Sequence, residues 1–194
     1  MERGTLLIVS GPAGVGKGTV VAESVNKANG NIYLSISATT RQPRSIDKEG
    51  VTYFFKTKEE FENMIKEDKL LEYANYVGNY YGTPKEPVMD SLKNGKDVIL
   101  EIEVQGALQV KANYPDAVLM FIVPPSIEVL EERLRGRGTE TEEQIEKRLN
   151  RAKEEFKEIP KYDYVVENNT IDKAVSDLMS VLRAERLKEK RYNK

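Results

Sequence analysis

Short apolar runs alternate along the chain with segments of helical spacing. Residues 5–10 form an apolar run that stops at a glycine-rich turn, which is typical of a buried parallel strand. Further strands are predicted at residues 32–37, 98–104, 117–123 and 164–166. Helices are predicted between them, over residues 20–29, 85–94, 107–112, 126–135, 141–158 and 171–190. This alternation predicts an α/β fold with a five-stranded parallel sheet and helices on both of its faces.

A different pattern lies between the second and third of these strands. Residues 70–77 and 80–81 flank Gly78-Asn79, which is the signal of a two-residue hairpin turn. A capping box that begins at Thr57 opens a helix before the hairpin. Because an antiparallel hairpin does not fit a parallel sheet, we predict an inserted subdomain over residues 36–84.

A glycine-rich segment with an embedded lysine joins the first predicted strand to the first helix. Glycines let the backbone curl so that several N–H groups face one anion, and the helix N-terminus adds the positive end of its dipole. Lys17 stands where a lysine reaches the β- and γ-phosphates of a nucleotide. The sequence therefore predicts an ATP-binding phosphate loop that consists of Gly11, Pro12, Ala13, Gly14, Val15, Gly16, Lys17, Gly18 and Thr19.

Gly18 occupies the place where this motif usually has the Ser or Thr that binds Mg²⁺. The hydroxyl comes one residue later, at Thr19, and is expected at the α-phosphate instead. We therefore predict no dedicated protein metal site, and Mg²⁺ is expected to be held mainly by the phosphates and water. Thr19 and Glu101 are the candidate protein ligands.

Composition narrows the chemistry further. The 194 residues, 39% of them hydrophobic, suffice for one domain, and the net charge of −2 gives no support for a nucleic-acid partner. The chain has no cysteine and no histidine, which excludes disulfides, thiolate or imidazole metal sites and a histidine base. No segment approaches the roughly 20 apolar residues of a membrane span. We therefore expect no membrane partner and predict a cytoplasmic location.

Two arginine clusters follow the phosphate loop in the sequence. Arg41 and Arg44 lie in the polar stretch of residues 39–50, which is predicted to be irregular. The second cluster lies at the end of one predicted helix and on the next, and consists of Arg133, Arg135, Arg137, Arg148 and Arg151. Arginine makes permanently charged, bidentate contacts with phosphate oxygens, so the clusters indicate a donor side and an acceptor side. A phosphomonoester acceptor has a second pKa of about 6, so it is mostly ionised at neutral pH and needs no base.

Several separate motifs in a fixed order resemble the guanylate kinase family over residues 6–168. The signature segment is Ser37-Ala-Thr-Thr-Arg41-Gln-Pro-Arg44, followed by Glu49-Gly50 and Tyr53-Phe54. The later matches are Glu72-Tyr73, Gly78-Asn-Tyr-Tyr81-Gly82-Thr83, Glu101-Ile-Glu103-Val-Gln105-Gly106 and Gly136-Arg137-Gly138-Thr139-Glu140-Thr141. The chain departs from the family pattern at Glu101 and Glu103, where many members have Asp, and at Ala13, where Ser is common.

The resemblance implies a fold and an activity. The fold is a three-layer phosphate-loop fold whose core spans residues 1–35, 85–125 and 160–194. A GMP-binding subdomain over residues 36–84 and a mobile lid over residues 126–159 complete a single domain. The activity is reversible transfer of the γ-phosphoryl group of ATP to GMP, and also to dGMP, in the presence of Mg²⁺.

The resemblance also implies roles for individual residues. The residues that hold the GMP phosphate are Arg41, Arg44, Tyr53 and Tyr81. The residues that read guanine are Ser37, Glu72, Thr83 and Glu103. Carboxylates can accept the guanine N1–H and N2–H₂ donors, and hydroxyls can serve O6. The residues at the transferring phosphoryl group are Lys17, Arg41, Arg133, Arg137 and Arg148, and Asn168 is expected near adenine.

Two other functions remain open on the sequence. An adenylate-type kinase would share the phosphate loop but use AMP, and the placement of Glu72 and Glu103 argues against it. A non-catalytic peptide-binding domain of this fold would typically lack the phosphate loop, whereas Gly11, Gly16 and Lys17 are intact here. Turnover with a panel of nucleoside monophosphates distinguishes these functions.

Overall fold

The computed structural model describes residues 4–76, 78–136, 138 and 140–188. Its strands are β1 (Leu6–Ser10), β2 (Ile32–Leu34), β3 (Ala38–Thr39), β4 (Phe54–Phe55), β5 (Leu70–Tyr76), β6 (Asn79–Pro84), β7 (Asp97–Glu101), β8 (Val118–Val123) and β9 (Tyr164–Glu167). Its α-helices are α1 (Lys17–Lys27), α2 (Lys58–Lys66), α3 (Lys85–Lys93), α4 (Val104–Asn113), α5 (Ile127–Arg135), α6 (Glu142–Phe156) and α7 (Ile171–Arg186). A short 3₁₀ helix, Ile159–Lys161, links α6 to β9.

The central sheet has the strand order β2-β7-β1-β8-β9, and all neighbouring strands in it are parallel. β1 runs through the middle and is buried along its whole length, because it has a strand on each side and helices on both faces. The five strands predicted from the apolar runs are the five strands of this sheet. The predicted α/β fold with a five-stranded parallel sheet is therefore confirmed.

Alternate residues of β1 pack against helices on opposite faces of the sheet. Leu7 and Val9 belong to the core that α1 and α7 cover, whereas Leu6 and Ile8 belong to the core that α3 and α4 cover. Complete burial of one such side chain contributes about 1.5–3 kcal/mol of transfer free energy. This two-sided packing fixes the carboxyl end of β1, and with it the start of the loop that follows.

A second sheet, with the strand order β4-β3-β6-β5, lies between β2 and α3 in the sequence. β3 pairs parallel with β4 and antiparallel with β6, and β5 and β6 form an antiparallel hairpin. Phe61 of α2 is fully buried and stacks on Tyr80, with ring centroids 5.2 Å apart. Tyr73 N of β5 donates a hydrogen bond to Gln109 Oε1 of α4, 3.4 Å away, so this sheet contacts the core.

Several predicted strand ends are wrong. β2 ends at Leu34 instead of 37, and β7 ends at Glu101 instead of 104, because the chain turns there into α4. The two-residue strands β3 and β4 were not predicted, since each is too short to show a periodic pattern of its own. Asn79 pairs with Tyr76 and belongs to β6, so it is not a turn residue.

Several predicted helix ends also differ from the structure. α1 begins at Lys17 instead of 20, because the left-handed Gly16 starts the helix before its first apolar residue. α4 begins at Val104 instead of 107. α7 ends at Arg186 instead of 190, and the last two residues of that prediction lie outside the described residues. Within the described chain, no helix combines the length and the apolar character needed to cross a membrane.

Candidate active site

The segment between β1 and α1 forms a tight loop whose shape depends on three glycines. Gly11, Gly14 and Gly16 have φ values of 148°, 90° and 89°, in a region that L side chains rarely adopt. Lys17 Nζ donates a hydrogen bond to the Gly11 carbonyl, 3.0 Å away, so the lysine folds back over the loop. The backbone N–H groups at the start of α1 and the Lys17 ammonium therefore converge on one place, which suits a polyphosphate.

Residues from outside the loop support it through the Val15 carbonyl. That carbonyl accepts hydrogen bonds from Asn168 Nδ2 at 2.8 Å and from Arg133 at 3.4 Å. Arg133 also donates to the Asn168 carbonyl, 2.9 Å away. Asn168 is only 2% exposed, and a Cβ atom on Gly16 would lie 2.6 Å from its Nδ2. The Asn168 side chain therefore packs against the phosphate loop, while its predicted contact with adenine stays a prediction.

One carboxylate lies beside the phosphate loop. Glu101 ends β7, and both of its carboxylate oxygens lie 3.6 Å from the position of a Cβ atom on Gly18. Mg²⁺ prefers oxygen ligands and keeps several waters, so a single nearby carboxylate fits a metal that is held largely by phosphates. The described residues contain no group of three or more acidic, histidine or cysteine side chains that could hold a metal ion. Glu101 lies beside the loop and Thr19 is exposed, and their roles as metal ligands stay predictions.

A buried carboxylate of the second sheet lies against α4. Glu72 of β5 is 7% exposed, and Thr83 Oγ1 donates a hydrogen bond of 2.6 Å to Glu72 Oε1. Burial raises the pKa of the Glu72 carboxyl, the charge of Glu103 acts in the same direction, and hydrogen bonds from Thr83 oppose both. Glu72 Oε2 lies 2.6 Å from the position of a Cβ atom on Gly106, so the carboxylate packs directly against α4.

Glu103 and Ser37, the other predicted guanine-reading residues, lie on segments that border this carboxylate. Glu103 is the N-terminal cap residue of α4, two residues after Glu101, and its charge influences Glu72. Ser37 directly precedes β3, where Ala38 pairs with Gly82 of β6. Ser37 and Thr83 therefore lie at the same end of the β3–β6 pair, and the structure brings the predicted guanine-reading residues to one region.

The predicted phosphate-binding residues of the acceptor side also cluster. The Arg41 guanidinium lies 5.3 Å from the centroid of the Tyr53 ring, and Tyr53 packs edge-on against Tyr81 at 6.1 Å. Burial raises the pKa of the Tyr53 hydroxyl, which stays protonated at neutral pH and can donate to a phosphate oxygen. Arg44 is exposed, and the structure gives only a backbone contact for it.

Asp47 is an acidic residue of this cluster that sequence reasoning missed. Its carboxylate forms an ion pair of 2.9 Å with Arg41 and accepts a hydrogen bond of 2.7 Å from Arg44 N. That backbone hydrogen bond and the contact with Arg41 lower the pKa of the Asp47 carboxyl. The available signal was an acidic residue three positions after Arg44 in a polar stretch, whose folded contact with Arg41 is not visible in the sequence.

The arginines of the second cluster have separate partners. Arg133 reaches the phosphate loop, as described above, whereas Arg148 Nε pairs with Glu140 at 2.8 Å. Arg135 pairs with Glu131, one turn earlier in α5, and with Glu142 at the start of α6. Arg137, which the sequence also places in this cluster, lies outside the described residues. Arg133 is therefore the described member of the cluster that contacts the phosphate loop directly.

Comparisons with known proteins show which family this chain resembles. The family model described as guanylate kinase matches residues 3–185. A guanylate kinase of Halalkalibacterium halodurans is 54% identical over 98% of this chain and 93% of its own, and one of Carboxydothermus hydrogenoformans is 53% identical over 100% and 94%. The crystal structure of guanylate kinase from Anaplasma phagocytophilum has a TM-score of 0.80 and 32% identity, covering 98% of this chain and 90% of that one. The chain belongs to the guanylate kinase family.

Proposed function

We propose that this enzyme transfers the γ-phosphoryl group of ATP to GMP, giving ADP and GDP, and that it also accepts dGMP. The observation that carries the proposal is the short segment after β7. Glu101 lies beside the phosphate loop, and Glu103, two residues later, borders the buried Glu72. A donor site and a guanine-reading acceptor site therefore adjoin each other, as direct transfer between two nucleotides requires.

The donor half of the proposal rests on the phosphate loop. The N–H groups of residues 11–19 would bind the ATP phosphates, with Lys17 at the β- and γ-phosphates and Thr19 at the α-phosphate. Mg²⁺ would neutralise charge on the phosphates when it is bound, with Glu101 beside the loop as a candidate ligand. Asn168 supports the loop through its hydrogen bond to the Val15 carbonyl, and it would border the bound nucleotide there.

The acceptor half rests on the carboxylate pair. Ionised Glu72 and Glu103 would accept hydrogen bonds from guanine N1–H and N2–H₂, and the hydroxyls of Ser37 and Thr83 complete the polar lining. Adenine offers neither of these donors at the same positions, so it would leave a buried carboxylate unpaired. Such a site is expected to reject AMP strongly.

The transfer itself needs no basic side chain. Arg41, Arg44, Tyr53 and Tyr81 would hold the GMP phosphate, whose attacking oxygen is mostly ionised because its second pKa is about 6. A bond forms between that oxygen and the γ-phosphorus while the bond from the γ-phosphorus to the β–γ bridging oxygen breaks. ADP leaves with the electron pair of the broken bond. Charge stabilisation and alignment therefore supply the catalysis.

We further propose that the chain works as one domain with two moving parts. Residues 36–84 would close on GMP, and residues 126–159 would bring Arg133, Arg137 and Arg148 to the transferring group around a core of residues 1–35, 85–125 and 160–194. Closure would exclude water, which would otherwise compete as an acceptor. A cytoplasmic location stays a prediction from composition.

The test is ADP formation from Mg-ATP with GMP, dGMP, AMP, UMP and CMP in turn. We expect strong preference for GMP, and we expect Lys17→Met to lower kcat severely while the circular dichroism spectrum is unchanged. Preference for AMP would contradict the assigned roles of Glu72 and Glu103. If folded protein used none of these acceptors but bound a peptide tightly, the non-catalytic alternative would replace the kinase.

A further inference from the structure

Arg151 of α6 makes three contacts that the proposed reaction does not use. It lies three residues after Arg148, so both side chains project from one side of the helix. Its Nη2 lies 2.6 Å from Glu103 Oε2, and its Nε lies 2.9 Å from Glu155 Oε1. Its guanidinium also lies 5.3 Å from the ring centroid of Tyr76 at the end of β5. One side chain of α6 thus touches both the segment after β7 and the inserted sheet.

The contact with Tyr76 starts a row of aromatic rings across the acceptor side. Tyr76 packs edge-on against Tyr81 at 6.5 Å, and Tyr81 packs edge-on against Tyr53 at 6.1 Å. The far end of the row lies under the Arg41 guanidinium. Each end of the row therefore carries an arginine that is paired with a carboxylate, Glu103 at one end and Asp47 at the other.

Glu103 needs an external partner to have a fixed orientation. It is the N-terminal cap residue of α4, but in the described structure its side chain makes no capping hydrogen bond to the helix. The side chain is 62% exposed, so solvent and packing leave its torsions largely free. The planar guanidinium of Arg151, held at a second point by Glu155, restricts where the Glu103 carboxylate can lie.

We propose that Arg151 is a positioning residue that holds Glu103 in place for guanine recognition. The inference rests on the proposed role of Glu103 in reading GMP. Arg151 acts on guanine through Glu103 and does not itself contact the reacting phosphates. It also reduces the repulsion between the charges of Glu103 and Glu72, which share this region. Through Tyr76, the same contact joins α6 to the strand that carries Glu72.

If Arg151 only stabilised α6, its substitution would have different consequences. The pair with Glu155 lies within α6 and would be sufficient for such a role, because pairs four residues apart stabilise a helix by themselves. That role would leave the response to guanine unchanged once the protein is folded. A positioning role predicts that Arg151 and Glu103 are energetically coupled in GMP use and uncoupled in ATP use.

The test is a double-mutant cycle of Arg151→Gln and Glu103→Gln, read out as KM and kcat for GMP and for ATP. We expect Arg151→Gln to raise the KM for GMP about fivefold, within the range of coupling between neighbouring side chains, and to leave the KM for ATP unchanged. In the Glu103→Gln background, the same substitution should cause no further rise. Arg151→Lys keeps the positive charge but loses the planar set of guanidinium N–H donors, so it should give an intermediate KM for GMP.

Lys147→Gln is the matched control, because Lys147 lies on the same helix and pairs with Glu143 on its exposed side. We expect it to change neither KM. Additive effects of the two substitutions, or a lower KM for GMP in Arg151→Gln, would overturn the positioning role while leaving the kinase proposal intact. If Glu103→Gln alone left the KM for GMP unchanged, the guanine-reading role of Glu103 would fail, and the inference with it.

Discussion

Glu72 and Thr83 are joined by a hydrogen bond of 2.6 Å between Thr83 Oγ1 and Glu72 Oε1, across the hairpin of the inserted sheet. Both residues are almost inaccessible to solvent. A carboxylate in such a place costs folding free energy unless hydrogen bonds and a bound ligand compensate for its lost hydration. The arrangement is expected where binding a specific base matters more to the protein than the stability of the empty site.

Glu72→Gln should separate guanine recognition from stability. We expect the KM for GMP to rise at least about tenfold, because the amide replaces an ionised acceptor with a neutral group that carries its own N–H donors. The KM for ATP should change little. Steady-state kinetics with each substrate varied in turn checks this, and equal effects on both substrates would contradict the role of Glu72.

The same substitution should raise the free energy of unfolding at neutral pH. Burial raises the pKa of Glu72 in the folded state, so its contribution to stability is fully present below the unfolded pKa and is lost as the pH rises through the folded pKa. A neutral Gln avoids that loss. The stability difference from the wild-type protein should therefore shrink as the pH falls toward 4, as measured by urea unfolding of both proteins at a series of pH values.

The pH below which the KM for GMP begins to rise should depend on Thr83. Hydrogen bonds from Thr83 lower the pKa of Glu72 and oppose the effect of burial. Thr83→Val removes the side-chain hydrogen bond, so the pKa of Glu72 should rise further and the KM for GMP should begin to increase at a higher pH. Profiles of KM between about pH 5 and pH 8 measure this shift. If the rise in the KM for GMP moved to a lower pH in Thr83→Val, a group other than Glu72 would control it.

The sequence predicted those features that consecutive residues encode. The five core strands follow from apolar runs, and the phosphate loop follows from one segment, residues 11–19, between a strand and a helix. β3 and β4 could not be predicted in this way, because each consists of two residues whose extended shape depends on pairing with distant strands. These two strands form only because they pair with distant strands, and the local sequence pattern does not indicate such pairing.

Within the site, the same distinction separates Lys17 from Asp47 and Gly106. Lys17 lies in a contiguous motif, so its position next to the loop backbone was predictable. Asp47 matters through Arg41, and Gly106 through the carboxylate of Glu72, which lies 34 positions earlier in the chain. The contact of Gly106 depends on how β5 packs against α4, whereas the ion pair of Asp47 depends on how the polar stretch of residues 39–50 folds. A hydrophobic pattern does not show which polar atoms such folding brings together.

Gly106→Ala should displace the Glu72 carboxylate without unfolding the protein. The new Cβ atom would lie 2.6 Å from Glu72 Oε2, and the flexible end of the glutamate can move away. The helix itself should gain up to about 1 kcal/mol from the exchange of glycine for alanine. We therefore expect an unchanged or higher melting temperature together with a rise of about tenfold in the KM for GMP.

Asn113→Ala at the exposed end of α4 is the control for a substitution in this helix, and it should leave the KM for GMP unchanged. Thermal melting and GMP kinetics on both variants form the measurement. A Gly106→Ala enzyme with a normal KM for GMP would show that the carboxylate has room to move without losing guanine. A large fall in melting temperature would instead show that the added methyl group disrupts the packing of the core.

Asp47→Asn should weaken the acceptor phosphate site. The carboxylate fixes Arg41 through an ion pair and the backbone of Arg44 through a hydrogen bond. Asn keeps an oxygen for the Arg44 N–H but loses the charge that holds the guanidinium. We expect kcat/KM for GMP to fall about tenfold, because Arg41 would have to be ordered when the phosphate binds. Asp68→Asn should have no such effect, because Asp68 is an exposed residue of the same subdomain that pairs with Lys85 of α3. A higher kcat/KM in Asp47→Asn would mean that Asp47 competes with the phosphate for Arg41 and does not prepare it.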